Sequence, residues 1–351
     1  MVDWSIARQV ARLAAGTEPA PGKAGAADFA GLSANAERLV ADYTGLTLVE
    51  PVPSAEPVGR REWSEINIHT LQGFLDPVAE RMSDRLERTG PFAGALRAAA
   101  GATLAAEVGL IAGYMSQRVL GQYEVSLLQP DTPARLLYVA PNLGHAISEL
   151  DVDAEAFLAW IALHEMTHVF EFSGVPWLRG HMADLLREYL HSVEVRIDSG
   201  GAGALPRLPA IAELVDQFRE GGLVALVQTS EQRDLMRRLQ AAMSVVEGYS
   251  EHVMDAVGGE HLENYAGLRE AMERRRANRS APQRLLEKLL GLDLKMRQYD
   301  QGKRFCDGVA ARGGIKLLNR VWEAPSALPR LGELNDPGAW VDRIQGSRAA
   351  A

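Results

Sequence analysis

The chain contains 351 residues, of which 47% are hydrophobic and 24% are charged. This composition excludes a disordered chain and is sufficient for a large core. The formal net charge of −9 argues against broad binding to nucleic acids or anionic membranes, because both depend on clustered Lys and Arg. We therefore expect no nucleic-acid partner.

Cysteine use points to a reducing compartment. Cys306 is the only cysteine, so neither an intrachain disulfide nor a cysteine-based metal cluster can form. The start, MVDWSIARQVARLAAG, does not read as a signal peptide, because Asp3 lies near the front and no apolar core with a cleavage site follows. We expect a cytoplasmic protein.

Helical periodicity dominates the first 120 residues. The pattern predicts helices over 1–15, 34–43, 63–88 (as one or two helices) and 91–120. Pro51, Pro53 and Pro57 predict a surface connection before the third of these. The most apolar stretch, 98–115, is interrupted by Glu107 and three glycines. We interpret it as a buried helix and expect no membrane span.

One clear β signal follows. YEVSLL (123–128) and RLLYVA (135–140) are rich in β-branched and aromatic residues, and QPDTPA between them has turn chemistry. The pattern predicts a hairpin just before the next helix. Zinc peptidases often bind substrate along a strand edge, although a plain structural hairpin fits equally well.

From Asp153 onward the chain reads as nearly all helical. The predicted fold class is therefore mostly α with a small β-hairpin or sheet. We expect residues 1–60 to form an N-terminal helical segment packed on a main body of residues 61–345. Residues 346–351 are expected to form a disordered tail.

The helix after the hairpin carries an H-E-x-x-H motif at residues 164–168. Asp153 is a suitable N-cap for this helix. Gly174 and Pro176 are expected to end it, which gives a credible length of about 20 residues.

The motif places two imidazoles one helical turn apart. At about 100° per residue, His164 and His168 share the face of Phe157 and Ile161, so both rings point to the apolar side. This spacing lets two ring nitrogens bind one tetrahedral Zn²⁺. Glu165, slightly to the side, could hold the metal-bound water and take its proton. The competing interpretation is two core histidines satisfied by hydrogen bonds.

A catalytic zinc needs a third protein ligand. A metzincin would have glycine at 171 and histidine at 174, and the presence of Glu171 and Gly174 excludes that class. The thermolysin-like alternative uses a glutamate from a later helix, for which Glu247 is a good candidate. Glu251, one turn on, is placed to hydrogen-bond a zinc-bound histidine. Two alternatives stay open: a solvated helix edge at these two glutamates, and His181 as the ligand.

The helix around Glu247 begins at a capping box formed by Thr229 and Gln232 and is expected to end at Gly258. Gly248 inside this helix costs about 1 kcal/mol relative to alanine. Close backbone approach to another helix would offset that cost.

Beyond these motifs, the chain resembles a family of actinobacterial zincin-like proteins of unknown function. Its members are commonly labelled zinc-dependent metalloproteases or deazaflavin-coenzyme-biosynthesis-associated proteins. The resemblance extends from Trp4 to Ile344. The matching stretches are DWSIA near the start, RVLGQYEV (118–125), LLYVAPNL (136–143), FLAWIALHEMTHVFEFSGVPWLRGH (157–181), MSVVEGYSEHVMD (243–255), MRQYDQGKRF (296–305), NRVWEAPSALP (319–329) and DPGAWVDRI (336–344).

The resemblance implies a mostly helical, zincin-like metallopeptidase architecture built around the H-E-x-x-H helix. It implies zinc at His164 and His168, with Glu165 as general base. It also supports Glu247 as the third ligand, which is the gluzincin arrangement. The resemblance does not imply a substrate.

The predicted function is zinc-dependent hydrolysis, and a peptide is the favoured substrate. Tyr249, His252, His181 and Tyr299 are candidates to stabilise the oxyanion, and the sequence does not choose among them. A zincin-like protein that binds a partner without turnover is an alternative, against which the intact Glu165 argues. Hydrolysis of a small molecule linked to deazaflavin coenzyme metabolism is another, and it rests on the family label alone. The oligomeric state is left open.

Overall fold

The computed structural model describes residues 2–86, 93–129, 131–192, 229–277 and 292–349. Some helical residues are described by their backbone only, namely 78, 81–86, 93, 95–97, 276–277, 292–299 and 347–349. The helical character predicted for residues 193–228 and 278–291 falls outside the described residues.

Helices make up most of the described chain, which confirms the predicted fold class. In chain order they are α1 (Trp4–Ala14), α2 (Phe29–Thr44), α3 (Arg60–Leu86), α4 (Ala93–Ser116), α5 (Ala140–Leu150), α6 (Ala154–Gly174), α7 (Leu178–Ser192), α8 (Ser230–His261), α9 (Tyr265–Ala277), α10 (Leu292–Leu318) and α11 (Pro337–Ala349). Short 3₁₀ helices lie at Gly22–Ala26, Asn319–Trp322, Pro325–Ala327 and Glu333–Asn335. The 63–88 region is one helix, α3, even though Pro77 lies inside it.

A three-stranded sheet accompanies these helices. Its strands are β1 (Ala55–Val58), β2 (Gly121–Glu124) and β3 (Arg135–Val139), in the spatial order β1-β3-β2. The pair of β2 and β3 is antiparallel, with Gly121 opposite Tyr138. The predicted hairpin is thus confirmed, but its first strand spans 121–124 and not 123–128.

The strand β1 corrects the interpretation of the proline-rich region as a surface connection alone. Pro57 lies within β1, opposite Tyr138. Proline has no N–H to donate and fits a strand at the edge of a sheet, and β1 is an edge strand paired parallel to β3. A parallel partner comes from a distant part of the chain, so the local pattern gives no signal of it.

The chain forms two compact units. The first comprises Met1–Phe170 and Ala256–Arg274, and the second comprises Glu171–Asp255 and Arg275–Ala351. The boundaries expected near residues 60 and 345 stay predictions. Helix α11 continues to Ala349, and residues 350–351 lie outside the description.

In the first unit, α1, α3 and α4 pack around a small apolar cluster. Its buried members are Val2, Trp4, Ala7, Ala11, Ile68, Ala105, Val108 and Ala112. A Cβ atom at Gly109 would collide with the backbone of Ala7, and one at Gly113 would collide with the backbone of Ala11. The glycines of the apolar stretch therefore allow α4 to approach α1 closely.

Helix α4 is less buried than its sequence predicts. Within the described residues, its Ala98–Ser116 segment alone is long and apolar enough to cross a membrane, judged by length and composition. A third of that segment is buried, and Leu110 and Ile111 are exposed. Core helices of soluble proteins meet the same criterion, and α4 packs against α1 and α3.

In the second unit, α8 and α10 meet at two glycines. A Cβ atom at Gly248 would collide with the carbonyl group of Gly302, and one at Gly302 would collide with the carbonyl oxygen of Ser244. The backbones are therefore in direct contact at this crossing. This confirms that close helix approach explains the glycine inside the predicted helix.

The sequence predicts the N-terminal end of α8 correctly and its C-terminal end incorrectly. The capping box is confirmed, because the N–H of Gln232 donates to Oγ1 of Thr229 at 3.1 Å and the N–H of Thr229 donates to Oε1 of Gln232 at 3.3 Å. The predicted stop at Gly258 is wrong, since α8 continues to His261. A Cβ atom at Gly258 would lie 2.6 Å from the ring of Tyr265, so this glycine serves packing and not termination.

The substitution Gly248→Ala tests the glycine crossing. Alanine favours a helix by about 1 kcal/mol over glycine, but here its methyl group collides with backbone. We expect a net loss of about 1–3 kcal/mol in the free energy of unfolding, as for other overpacked sites. Urea denaturation measures it.

The matched control is Gly180→Ala in α7, where an added Cβ meets nothing within 4 Å. This variant should be more stable than the wild type by about 0.5–1 kcal/mol. Equal stabilisation by both substitutions would contradict the close crossing.

Candidate metal centre

Helix α6 carries the H-E-x-x-H motif, and its ends agree with the sequence prediction. The Oδ1 atom of Asp153 accepts a hydrogen bond from the N–H of Ala156 at 2.8 Å. The helix begins at Ala154 and ends at Gly174. The N-cap and the stop are both confirmed.

The middle of α6 is buried on nearly every side. Between residues 157 and 173, all positions are buried except 159, 164, 168 and 172. Three of these exceptions recur every four residues and therefore form one stripe along the helix. His164 and His168 lie on that stripe, so both histidines are partly accessible although the helix is a core helix. Phe157 and Ile161 are buried.

The two imidazoles lie close together and near a carboxylate. The ring centroids of His164 and His168 are 4.8 Å apart, and the ring planes meet at 82°. One ligand atom each from His164, His168 and Glu247 lie within 4.8 Å of one another. All three side chains are partly exposed. His181 does not belong to this group of described ligand atoms.

Glu247 has a second carboxylate beside it. Glu171 on α6 is completely buried. Burial raises the pKa of Glu171 well above its usual range, and the charge of Glu247 raises it further. The sequence analysis did not assign Glu171 a role. Its spacing of seven residues from His164 and three from His168 was the available signal, because these intervals share a helix face.

Glu165 lies against the strand β2. Its side chain is buried, and its Oε2 atom accepts a hydrogen bond from the N–H of Tyr123 at 2.9 Å. A Cβ atom added to Gly121 would lie 2.7 Å from Cγ and 2.8 Å from Oε1 of Glu165. Burial raises the pKa of Tyr138 on β3, and the nearby charge of Glu165 contributes to the rise. The sequence patterns did not identify Gly121 or Tyr123 as residues of the site.

Glu251 follows Glu247 by one turn of α8 and is 4% exposed. The alternative of a solvated helix edge is therefore wrong for Glu251. A buried carboxylate is costly unless it is hydrogen-bonded or paired, so this position favours a role inside the protein.

His181 lies at the start of α7 and is partly buried. Its ring centroid is 5.9 Å from that of Trp177. Burial lowers the pKa of His181, and the charge of Arg238 lowers it further, against the opposing effects of Asp184 and Glu188. The neutral imidazole is therefore favoured.

Tyr249 is completely buried. Its hydroxyl group donates to Oδ1 of Asn319 at 2.7 Å, and its ring contacts that of Trp322 edge-on at 5.3 Å. The phenolic proton is thus already committed to a partner. The side chain of Tyr299 lies outside the described residues.

His252 belongs to a polar network in the second unit. Its Nδ1 atom lies 2.8 Å from Oδ1 of Asp307. Lys303 reaches Asp307 at 2.5 Å and Asp255 at 2.9 Å. Burial alone would raise the pKa of Asp307, but the hydrogen bonds and charges of His252 and Lys303 lower it below its usual range. The network fixes the orientation of the His252 ring.

A model of the zincin-like metallopeptidase family matches residues 2–341. The chain belongs to this family. Membership implies a metal, most commonly zinc, and supports the zincin-like architecture predicted from the sequence.

A protein with a solved structure is similar to this zincin-like chain. It is a protein from Chloroflexus aurantiacus, provisionally described as a hydrolase with a novel fold. The two chains are 33% identical, with a TM-score of 0.73 over 98% of this chain and 99% of the other. No curated protein matches, so the actinobacterial and deazaflavin labels stay predictions.

The residues of this zincin-like chain fit a zinc ion. Two imidazole nitrogens and one carboxylate oxygen form the donor set of catalytic zinc sites of the thermolysin type. The partial exposure of all three side chains suits a catalytic site, since such a site keeps one position open.

The Asp307 network generates a pH prediction. A carboxylate whose pKa is lowered on folding stabilises the protein above its unfolded pKa, and this stabilisation is lost as the pH falls through the folded pKa. Asp307→Asn should therefore lower the free energy of unfolding at pH 7, by about 1 kcal/mol because the pair is partly exposed. The difference from the wild type should shrink below about pH 4.

Urea denaturation at several pH values measures this difference. Asp342→Asn, at an exposed position of α11, is the control and should leave stability nearly unchanged. A deficit for Asp307→Asn that is as large at pH 3 as at pH 7 would contradict the argument.

Proposed function

We propose that this protein is a zinc-dependent metallopeptidase that binds its metal through His164, His168 and Glu247. The observation that carries the proposal is the convergence of these three ligand atoms within 4.8 Å of one another. The family and the hydrolase description of the Chloroflexus protein support the general class of metal-dependent hydrolase.

Glu165 is the proposed general base. Zinc, when bound, supplies a Lewis acid that acidifies water and polarises the scissile carbonyl. Glu165 accepts the proton of the attacking water on a carboxylate oxygen and then delivers it to the departing amine. Its position next to His164 in the sequence and its contact with β2 support this role.

Further residues have proposed supporting roles. Glu251 hydrogen-bonds a zinc-binding imidazole, which would explain a buried carboxylate one turn after Glu247. Tyr249 is the weaker candidate for the oxyanion, because it already donates its proton to Asn319. His252, whose ring is held against Asp307 through Nδ1, is retained as a candidate. His181 lies outside the proposed ligand set, because it does not belong to the group of described ligand atoms.

The proposed substrate is a peptide, and the proposed compartment is the cytoplasm. The second statement is supported by Cys306, the single cysteine of the chain, which is free and buried.

The ligand set predicts the metal content of variants. The purified protein should bind about one zinc per chain. Glu247→Ala should weaken zinc binding strongly, and Glu251→Ala should weaken it about 10–100-fold, because it removes only the support of a ligand. His181→Ala should retain the metal. Metal analysis and competition with a chelator measure these affinities.

If His181→Ala loses as much zinc as His164→Ala, then His181 and not Glu247 is the third ligand. Absence of zinc uptake by the wild type would end the metallopeptidase proposal.

Glu165→Gln tests the chemistry separately from metal binding. Glutamine keeps the shape of the side chain but cannot accept the proton, so zinc content should be unchanged and turnover should fall at least about 100-fold. Cleavage of an unbiased peptide library, with and without chelator, supplies the assay. Normal turnover by this variant would refute the role of Glu165, and a zinc-loaded wild type without any cleavage would favour the non-catalytic binding protein.

A further inference from the structure

One edge of the strand β2 is hydrogen-bonded to β3, and its other edge faces away from β3. The N–H of Val139 donates to the carbonyl of Leu120 at 2.9 Å. Bonded residues alternate along an antiparallel ladder. With Gly121 opposite Tyr138, the backbone groups of Gly121 and Tyr123 therefore point away from β3. The N–H of Tyr123 donates to Oε2 of Glu165 instead.

Gly121 lies against the same carboxylate. An added Cβ atom would lie 2.7 Å from Cγ, 2.8 Å from Oε1 and 3.0 Å from Cδ of Glu165. Real Cβ atoms essentially never lie within 3.0 Å of a neighbour, as this one would at Cγ and Oε1. Glu165 is 5% exposed, so its side chain has little room to move aside. Its position therefore depends on the absence of a side chain at residue 121.

We propose that Gly121 and the amide of Tyr123 form a cradle that positions the general base Glu165. The inference rests on the proposed function, in which Glu165 moves the proton. The Tyr123 amide anchors Oε2, and the bare Cα of Gly121 leaves room for Oε1. Gly121 is thus a positioning residue, which acts through Glu165 and does not itself touch the substrate.

The cradle has a physical purpose. A carboxylate on a flexible side chain has to lose rotamer freedom before it can accept a proton in a fixed direction. A charge-assisted hydrogen bond from a backbone amide supplies that order, because the strand is held by its ladder with β3. Displacement of a catalytic group by about 1 Å can cost about 100-fold in rate.

Binding of acetohydroxamic acid to the zinc-loaded protein tests the cradle without a known substrate. A hydroxamic acid would bind a zinc ion held at this site as its anion, so its O–H proton would pass to a nearby base. Glu165 is that base. Gly121→Ala should weaken acetohydroxamic acid binding about 10-fold or more, as Glu165→Gln should, because each removes a correctly placed acceptor. Zinc content should be unchanged in both.

A double-mutant cycle separates positioning from general damage. If Gly121 acts through Glu165, adding Gly121→Ala to Glu165→Gln should cause no further loss of affinity. Additive losses would overturn the proposal. Gly332→Ala, where an added Cβ meets nothing within 4 Å, should bind acetohydroxamic acid like the wild type.

A second pair of variants tests the amide and avoids any clash at residue 121. Tyr123→Pro removes the N–H that donates to Glu165. Proline is tolerated where a strand N–H points away from the neighbouring strand. Tyr123→Ala keeps the N–H and loses the same ring. Binding should be at least about 10-fold weaker for Tyr123→Pro than for Tyr123→Ala. Equal affinities would overturn the cradle.

The outcomes distinguish this proposal from the proposed function. If Glu165→Gln weakens acetohydroxamic acid binding while Gly121→Ala and Tyr123→Pro bind normally, the cradle is refuted and the general base stands. If the wild type binds neither zinc nor acetohydroxamic acid, the metallopeptidase proposal fails and the cradle fails with it.

Discussion

Burial of α6 is the constraint on which the site depends. Charged and polar side chains on a core helix are costly unless each one finds a partner. His164 and His168 occupy the partly accessible stripe of this helix, whereas Glu165 and Glu171 are buried. Glu165 is partnered by the amide of Tyr123, and Glu171 carries a raised pKa. A cation beside Glu247 would offset the repulsion between that carboxylate and Glu171, which agrees with the proposed zinc.

Glycines allow backbone and side chains to approach each other closely around the proposed site. Gly121 allows Glu165 to lie against β2, and the pair Gly248 and Gly302 allows α8 and α10 to touch. Gly248 directly follows Glu247 in the sequence, so the crossing fixes the backbone of the proposed ligand. Rigid elements hold catalytic groups more accurately than loops do. In both places the absence of a side chain allows a close contact that fixes the position of a proposed functional group.

Much of this could be predicted from local pattern. Both ends of α6, the N-terminal capping box of α8, the mostly helical fold and the presence of a hairpin follow from periodicity and from short-range hydrogen bonding. The prediction failed where distant contacts decided the outcome. The strand β1 has a parallel partner from another part of the chain. Helix α8 continues past Gly258 to His261, and an added Cβ at Gly258 would lie 2.6 Å from the ring of Tyr265. The sequence spacing shows that Glu171 shares a helix face with His164 and His168, but it does not predict that the Glu171 carboxylate is buried.

Local sequence patterns are enough to predict the chemical groups of the site: two histidines and a glutamate at helical spacing, and a glutamate in a capped helix that also contains a glycine. These features depend on residues at most a few turns apart, so propensity and spacing are enough to reveal them. Local patterns do not reveal that ligand atoms of His164, His168 and Glu247 converge without His181. They do not reveal that Tyr249 donates its proton to Asn319 either. Only the tertiary structure brought Gly121 and Tyr123 to Glu165. The physical reason is that such contacts join residues far apart in the chain, and their geometry is set by packing, which no local pattern encodes.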